Sequence, residues 1–311
     1  KSLRTAVYEG SRSCVQGNAL NRHGLMLDIK FSLVTTSPYF KLQFRKLRIS
    51  GNGPGVAEEP IANQLTVTFN PSDERPLSVR GEIQISNWKH AGLLTDCRPF
   101  VVAAPCLEPA WCQQFEDLLR NSALTLEPIL RCFPSSGLVA IHAALQVAEQ
   151  VYVYRMPLKP SFIRPPGMSS RKPLPCAFHN WLGERRLGFS LLRENGPERL
   201  IWDSLTSEAL TNSGEPTDTD PVTALENLFG QARSDLEGEF AETLNWLAAL
   251  ERRAWACNAE ETRLTTLERH FFLSRHNPVT PNWWLFNNRL SAPLDAVLQR
   301  LMVCQVDLVG G

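Results

Sequence analysis

The sequence predicts an α/β fold with a single, mostly parallel β-sheet flanked by helices. Two patterns in the 311-residue chain point to it. From residue 46 to about residue 205, short segments rich in β-branched and aromatic residues alternate with helical segments, which is typical of a parallel sheet covered on both faces. Turns containing glycine, serine or asparagine follow several predicted strands, at the edge where open α/β sheets bind ligands.

Six segments of this region are predicted strands, because each combines β-branched or aromatic residues with flanking turn residues. In chain order they are KLRIS (46–50), LTVTFN (65–70), GEIQISN (81–87), FVVAAP (100–105), QVYVYRM (150–156) and RLIWDSL (199–205). The first of them leads directly into a glycine turn, GNGPG, whose glycines do not have the GxGxxG spacing of a dinucleotide site and are interrupted by Pro54.

Helical periodicity predicts the elements between and after these strands. Segment 109–121 places Trp111, Phe115, Leu118 and Leu119 on one face, which predicts an amphipathic helix. Further helices are predicted at 56–63, 136–147 and 178–195, and through most of the chain from residue 222 onward.

Two polar stretches suggest how the chain is divided. Segment 157–177 is rich in proline, serine and basic residues, which predicts a surface loop that would suit a lid or an acceptor-binding segment. Residues 206–221 are a predicted linker. We therefore predict three parts: an N-terminal segment at 1–45, an α/β domain at 46–210 and a helical C-terminal region at 211–311.

The charge and the cysteine content argue against several classes of protein. The 32 basic and 32 acidic side chains give a net charge of zero, whereas nucleic-acid binders usually carry a basic excess, so we expect no nucleic-acid partner. The eight cysteines form no CxxC pair and lack the histidine companions of a zinc site, which indicates free thiols in a reducing compartment. No run approaches the roughly 20 apolar residues of a membrane-spanning helix.

Asparagines stand at the ends of three predicted strands, at Asn52, Asn70 and Asn87. Because the carboxyl ends of parallel strands meet at one edge, these amides are expected near a common site, where they would bind a base or a ribose without adding charge. Gly53, in the glycine turn, would let backbone N–H groups approach a phosphate. The alternative is that these residues only form turns, which asparagine and glycine favour.

A second turn, PSSG at 134–137, precedes a predicted apolar helix. Ser135 or Ser136 would cap that helix, and the positive end of the helix dipole favours an anion. Capping alone and capping combined with ligand binding at Ser135, Ser136 and Gly137 both fit this pattern. His142 lies inside the helix among apolar residues and is predicted to be a packing residue.

These motifs resemble those of the sialyltransferases. The stretch PSSGLVAIHAALQVAEQVYVY (134–154) resembles the small sialyl motif of the animal-type enzymes, and FHNWLGERR, with His179 and Glu184, resembles their very short motif. The stretch ISGNGPGVAEEPIANQLTVTFN (49–70) resembles a degenerate large sialyl motif and the nucleotide-binding opening of bacterial sialyltransferases, and ISNW matches a further ligand-binding asparagine. Two departures are that Ala148 replaces a disulfide cysteine and that the HYY-type motif is missing from 157–177.

The resemblance implies a GT-A-like catalytic domain at 46–210 that binds a CMP-activated acidic sugar, either sialic acid or Kdo. His179 would be the general base of an inverting displacement, a role that imidazole suits near neutral pH, and Glu184 would orient the helix or the acceptor. The donor would be bound by Asn52, Gly53, Asn70, Asn87, Ser135, Ser136 and Gly137. Because the leaving group carries a single phosphate, the resemblance implies no metal and no cofactor.

The expected partners are a CMP-sugar donor and a glycan or glycolipid acceptor. The missing disulfide favours a bacterial cytoplasmic enzyme peripheral to the inner membrane, whereas a truncated eukaryotic chain would belong to the Golgi lumen. Two other functions stay open. One is a non-catalytic nucleotide- or glycan-binding module, and the other is a methyltransferase, which would want an acidic residue where Asn70 ends the second strand.

Two further patterns have both a structural and a functional interpretation. Asp218 and Asp220 form a DxD match of the kind that binds a metal–nucleotide diphosphate, but Asp220 followed by Pro221 also fits a helix N-cap. The run NWWLF (282–286) would stack on sugars or, in the interpretation we favour, clamp the C-terminal helices to the sheet domain.

Overall fold

The computed structural model describes the chain in twelve ranges, all within one compact unit, Pro38–Gly311. They are residues 44–53, 65–70, 82–87, 100–104, 107–163, 179–206, 220–230, 237–251, 254–255, 261–268, 271–272 and 289–309. The predicted helix at 56–63, Asp218 and the aromatic run at 282–286 lie outside these ranges.

Six strands form one mixed sheet in the order β4-β3-β2-β1-β5-β6. Their bounds are β1 (Phe44–Ser50), β2 (Leu65–Phe69), β3 (Glu82–Asn87), β4 (Phe100–Ala103), β5 (Ala148–Tyr154) and β6 (Leu200–Ile201). Neighbouring strands are parallel, except that β4 runs antiparallel to β3. This arrangement, with helices flanking the sheet, confirms the predicted α/β fold.

The described helices follow the strands as the periodicity predicted, with several changes of boundary. Their bounds are α1 (Pro109–Leu130), α2 (Ser136–Val147), α3 (Trp181–Asn195), α4 (Asp203–Thr206), α5 (Pro221–Gly230), α6 (Glu237–Ala249), α7 (Glu261–Glu268) and α8 (Ser291–Val309). The predicted helix at 136–147 is confirmed at both ends, and the described residues from 221 onward are mainly helical.

The prediction for α1 was too short. The helix continues past residue 121 to Leu130, and Pro128 lies within its last turn. Ser122, Ala123, Leu126 and Leu130 are buried and continue the apolar face at spacings of three and four residues. Packing of that face therefore outweighs the hydrogen bond that a proline removes from a helix.

The sixth predicted strand was too long. The segment RLIWDSL contributes only Leu200–Ile201 to the sheet, and the helical turn α4 follows at Asp203. Trp202 separates the two because its indole Nε1 donates a 2.7 Å hydrogen bond to the Met156 carbonyl. The chain thus leaves the sheet after Ile201, and Trp202 instead holds the backbone that follows β5.

Two hydrophobic cores lie on either side of α3. Side chains of the sheet pack with those of α1 and α2 in the first core, where the buried β1 residues Leu47 and Ile49 are in register with Val151 and Val153 of β5. The second core gathers the C-terminal helices around buried side chains such as Phe271 and Leu298. Trp181, the first residue of α3, packs against both cores, so the start of α3 joins the sheet to the C-terminal helices.

Candidate functional site

A cleft opens at the carboxyl ends of β1 and β5. These two strands are neighbours in the sheet, but the chain leaves them in opposite directions. The strand after β1 in sequence, β2, lies on one side of the pair, and the strand after β5, β6, lies on the other side. Ligands of open α/β sheets bind at such a switch point. The cleft has a volume of ≈ 320 Å³, which is within the range of small-molecule sites. We call it the switch-point cleft, and the described residues lining it are 51–53, 69–70, 135–137, 155–159, His179 and Trp181.

The glycine turn forms one wall because it lies directly against the segment after β5. The Gly51 N–H donates to the Tyr154 carbonyl at 2.9 Å, and the Gly53 N–H donates to the Arg155 carbonyl at 3.0 Å. A Cβ atom on Gly51 would lie 2.5 Å from the Arg155 carbonyl oxygen, and one on Gly53 would meet the same oxygen. Glycine is therefore needed at both positions for the two loops to converge.

Two of the three predicted asparagines line the cleft. Asn52 is exposed, and its Nδ2 donates to the Phe69 carbonyl at 3.4 Å. Asn70 follows β2 in the left-handed conformation (φ 47°), which asparagine tolerates better than most residues. Asn87 ends β3, which is separated from β1 by β2, and its side chain lies outside what the structure describes.

The Ser-Ser-Gly turn forms the opposite wall. Ser135 caps α2, since its Oγ accepts a hydrogen bond from the Leu138 N–H at 3.4 Å. Ser136 and Gly137 stand in the first helical turn, where backbone N–H groups have no intrahelical acceptor. This end of α2 thus offers the cleft N–H groups and the positive end of a helix dipole.

Glu184 lies under this turn rather than in the cleft. The carboxylate is fully buried and accepts hydrogen bonds from the Ser135 N–H at 2.7 Å and the Ser135 Oγ at 2.5 Å. Burial raises the pKa of Glu184, although the charge of His179 and the two bonds from Ser135 act in the opposite direction. The structure therefore places Glu184 where it holds the Ser135 turn in position.

His179 lines the cleft beside that turn, with its side chain 28% exposed. Its Nδ1 lies 3.2 Å from the Phe133 carbonyl oxygen and 3.9 Å from Oε1 of Glu184. Because a carbonyl can only accept a hydrogen bond, Nδ1 is the donor, and in the neutral ring Nε2 carries the lone pair. The imidazole is thus held in the tautomer in which Nε2 can accept a proton.

Asn180 fixes the backbone next to this histidine. It is fully buried and caps α3, accepting a 3.0 Å hydrogen bond from the Gly183 N–H at Oδ1. Its Nδ2 donates to the Leu130 carbonyl at 3.2 Å and to Oε2 of Glu268 at 3.1 Å. Glu268, which is also buried, receives both Nε and Nη2 of Arg186 at 2.9 and 3.1 Å. Residues of α1 and α7 therefore anchor the start of α3.

Sequence reasoning missed the basic residues of the cleft. Arg155 and Lys159 line it from the segment after β5, and none of the described residues lining it is Asp or Glu. The signal was present for Arg155, because it directly follows QVYVY, the strand next to β1. The switch-point cleft thus combines cationic side chains with backbone N–H donors, which suits an anionic ligand.

Two residues outside the cleft have the structural roles that the sequence favoured. His142 is buried in α2 with Nδ1 3.0 Å from Ser122 Oγ, and burial lowers its pKa. Asp220 caps α5, because its Oδ1 accepts from the N–H groups of Val222 and Thr223 at 3.0 and 3.2 Å. The described residues contain no group of three or more His, Cys, Asp or Glu side chains that could hold a metal ion.

Comparison with known proteins yields no match to a family model, to a curated protein or to a solved structure. The resemblance to the sialyltransferases therefore stays a prediction. None of the helices in the described ranges is long and apolar enough to cross a membrane.

Proposed function

We propose that this protein is an inverting, metal-independent glycosyltransferase of GT-A-like architecture that moves a CMP-activated acidic sugar to a hydroxyl group. One observation carries the proposal. Asn52, Asn70, the Ser135–Gly137 turn and His179, which lie far apart in the sequence, all line one cleft at the switch point of the sheet. They are among the residues to which the sialyltransferase-like motifs assign donor binding and catalysis, which also include Asn87 and Glu184.

The electrostatics of the cleft suit the donor. A CMP-sugar carries a negative phosphodiester, and an acidic sugar adds a carboxylate. The N-terminus of α2 and the side chains of Arg155 and Lys159 supply positive charge, and no described lining residue is acidic. A single departing phosphate can be stabilised by such fixed donors without a bridging metal.

His179 is the proposed general base. Its Nε2 takes the proton of the acceptor hydroxyl while the hydroxyl oxygen attacks the anomeric carbon from the face opposite to the phosphate. The bond between that carbon and the phosphate oxygen breaks, and CMP leaves with the electron pair. The Phe133 carbonyl holds the Nδ1 proton, and the nearby Glu184 carboxylate, where ionised, favours the imidazolium that forms. Glu184 thereby supports catalysis from beneath the cleft.

The acceptor is the second substrate of the proposed reaction. A glycan or a glycolipid at a membrane surface is part of the proposal, with peripheral association at the cytoplasmic face. Residues 157–163 continue from the cleft with buried and more exposed positions alternating, and Ile163 at the end of this stretch is 58% exposed. This side of the cleft is where we place the acceptor.

A donor screen tests the proposal. Thermal shift with CMP, with cytidine and with S-adenosylmethionine identifies the ligand class, and chromatography then follows CMP release from CMP-Neu5Ac and CMP-Kdo, with and without EDTA. We expect a shift with CMP, and CMP release that is insensitive to EDTA. Binding of CMP without turnover on either donor would favour the non-catalytic module. A shift with S-adenosylmethionine and none with CMP would overturn the proposal in favour of a methyltransferase.

A further inference from the structure

We propose that Arg155 binds the phosphate of the nucleotide, so that the switch-point cleft distinguishes a nucleoside monophosphate from the bare nucleoside. This inference rests on the proposed function and adds to it a residue to which the sequence motifs assign no role. In this proposal the guanidinium group of Arg155, rather than a metal ion, binds the phosphodiester group of the donor.

The backbone after β5 is shaped to present this side chain. Arg155 and Leu158 both adopt the left-handed conformation, with φ values of 51° and 50°. Such a conformation is unfavourable for a residue other than glycine and persists only where the surroundings enforce it. Here the segment is held by Trp202 Nε1 on the Met156 carbonyl at 2.7 Å and by Ser204 Oγ, which accepts from the Met156 N–H at 3.3 Å.

The guanidinium group of Arg155 is fixed but only partly used. Its Nε and Nη2 donate to the Gly53 carbonyl at 3.1 and 2.7 Å, which ties the side chain to the glycine turn. An arginine has five N–H donors, so two bonds to Gly53 leave three. Within the described part of the chain, no acceptor other than the Gly53 carbonyl engages this side chain.

The remaining donors stand in a cleft that suits an oxyanion. The described residues lining it include no acid that would neutralise the guanidinium, and the N-terminus of α2 lies across from the glycine turn in the same 320 Å³ space. A planar guanidinium binds phosphate oxygens more specifically than an ammonium group does, because it can donate two parallel hydrogen bonds. The site therefore suits a nucleoside 5′-monophosphate group, held between Arg155 and the first turn of α2.

The test compares how tightly CMP and cytidine bind, by isothermal titration calorimetry. We expect the wild-type protein to bind CMP roughly 10- to 100-fold more tightly than cytidine, since hydrogen bonds to charged groups are the stronger kind. Arg155→Met should lose most of this preference and change the affinity for cytidine only a few-fold. Arg155→Lys, which keeps a charge but lacks the fork, should lose part of it. Arg45→Met, an exposed arginine on β1 outside the cleft, is the matched control and should keep the wild-type ratio.

The outcomes separate this inference from the proposed function. If Arg155→Met or Arg155→Lys keeps the full preference for CMP, or weakens CMP and cytidine by the same factor, Arg155 does not bind the phosphate and the transferase proposal still stands. If the wild type binds neither compound, the transferase proposal fails, and titration with inorganic phosphate then tests Arg155 alone. Should Arg155→Met not fold, as judged by circular dichroism, the Arg155→Lys ratio decides.

Discussion

Two concave regions lie at opposite ends of the same pair of strands, and they differ in volume and in the charge of their lining residues. The switch-point cleft is at the carboxyl ends of β1 and β5 and has a volume of ≈ 320 Å³. At the amino ends lies a larger depression of ≈ 670 Å³, which we call the amino-end groove. The described residues lining the groove are Arg45, Lys46, Glu149, Gln150, Asn195, Glu198 and Arg199.

The groove is larger, but its lining mixes charges of both signs. Its three basic residues stand among two glutamates, whereas the described lining of the cleft has no acid. Gln150 Nε2 donates to the Glu198 carbonyl at 3.1 Å, and Arg199 donates to the Leu145 carbonyl, so groove side chains are engaged by the fold. In the cleft, the first turn of α2 supplies backbone N–H groups that have no intrahelical acceptor. A helix N-terminus in a lining without described acidic residues therefore marks a candidate site better than volume does.

The largest expected effect is on turnover. His179→Ala removes the proposed base and should lower CMP-sugar turnover by about 10²–10⁴-fold while CMP still binds, because general-base catalysis contributes on that order. The measurement is the rate of CMP release together with calorimetric binding of CMP. Lys46→Ala in the amino-end groove is the control, and we expect wild-type turnover from it. Full activity of His179→Ala would mean that another group is the base, and a comparable loss from Lys46→Ala would remove the functional distinction between the two regions.

The second effect is on stability, through the anchor beneath the cleft. Glu268→Ala removes an acceptor from the buried Asn180 amide and the carboxylate from the partly exposed Arg186, and leaving a buried donor unsatisfied typically costs about 1–3 kcal/mol. The measurement is the free energy of unfolding in urea. Glu198→Ala removes an exposed carboxylate at the rim of the groove, and we expect a change within about 0.5 kcal/mol. Equal effects from the two variants would show that the C-terminal helices do not support the cleft.

Local sequence patterns were enough to predict much of the fold and part of the candidate site. The existence and order along the chain of the six strands and the bounds of α2 follow from short-range propensity, since β-branched runs and a serine cap act within a few residues. Asn52, Asn70 and the Ser135 turn could be grouped at one edge because the carboxyl ends of parallel strands must meet there. Asn87 met the same criterion, and it ends β3, two positions along the sheet from β1, a strand order that these patterns could not predict.

Long-range contacts account for what could not be predicted. The left-handed backbone at Arg155 depends on Trp202 and Ser204, which are almost 50 residues away, as the separations of 46 and 48 residues from Met156 show. The burial of Glu184 depends on Ser135, 49 residues earlier in the chain. The local sequence gives no signal for the burial of a carboxylate beside two arginines, because that burial arises from contact of α3 with the distant Ser135 turn.

A third test concerns the backbone convergence of the cleft. Gly53→Ala would place a Cβ against the Arg155 carbonyl oxygen, which is backbone and cannot swing aside. We expect a loss of about 1–3 kcal/mol in the free energy of unfolding, the typical cost of overpacking, together with weaker CMP binding. Gly238→Ala in α6 is the matched control, because nothing lies within 4 Å of its added Cβ, and it should be neutral or stabilising by up to about 1 kcal/mol. A Gly53→Ala protein as stable as Gly238→Ala would mean that the two loops do not need their close approach.

The smallest expected effect is on how the free energy of unfolding changes with pH. We expect the buried Glu184 beneath the cleft to contribute to this change, and the exposed Glu149 in the amino-end groove not to. Because burial raises the pKa of Glu184 above its usual value near 4.5, the folded protein keeps this proton over a pH range in which the unfolded chain has lost it. The stabilising contribution is therefore complete below about pH 4.5 and declines as the pH rises through the raised pKa. Glu184→Gln cannot release a proton and should flatten this decline in urea midpoints measured at increasing pH. Glu149→Gln changes an exposed residue of the amino-end groove and should retain the wild-type slope. An unchanged slope in Glu184→Gln would mean that the carboxyl group of Glu184 stays ionised throughout this pH range.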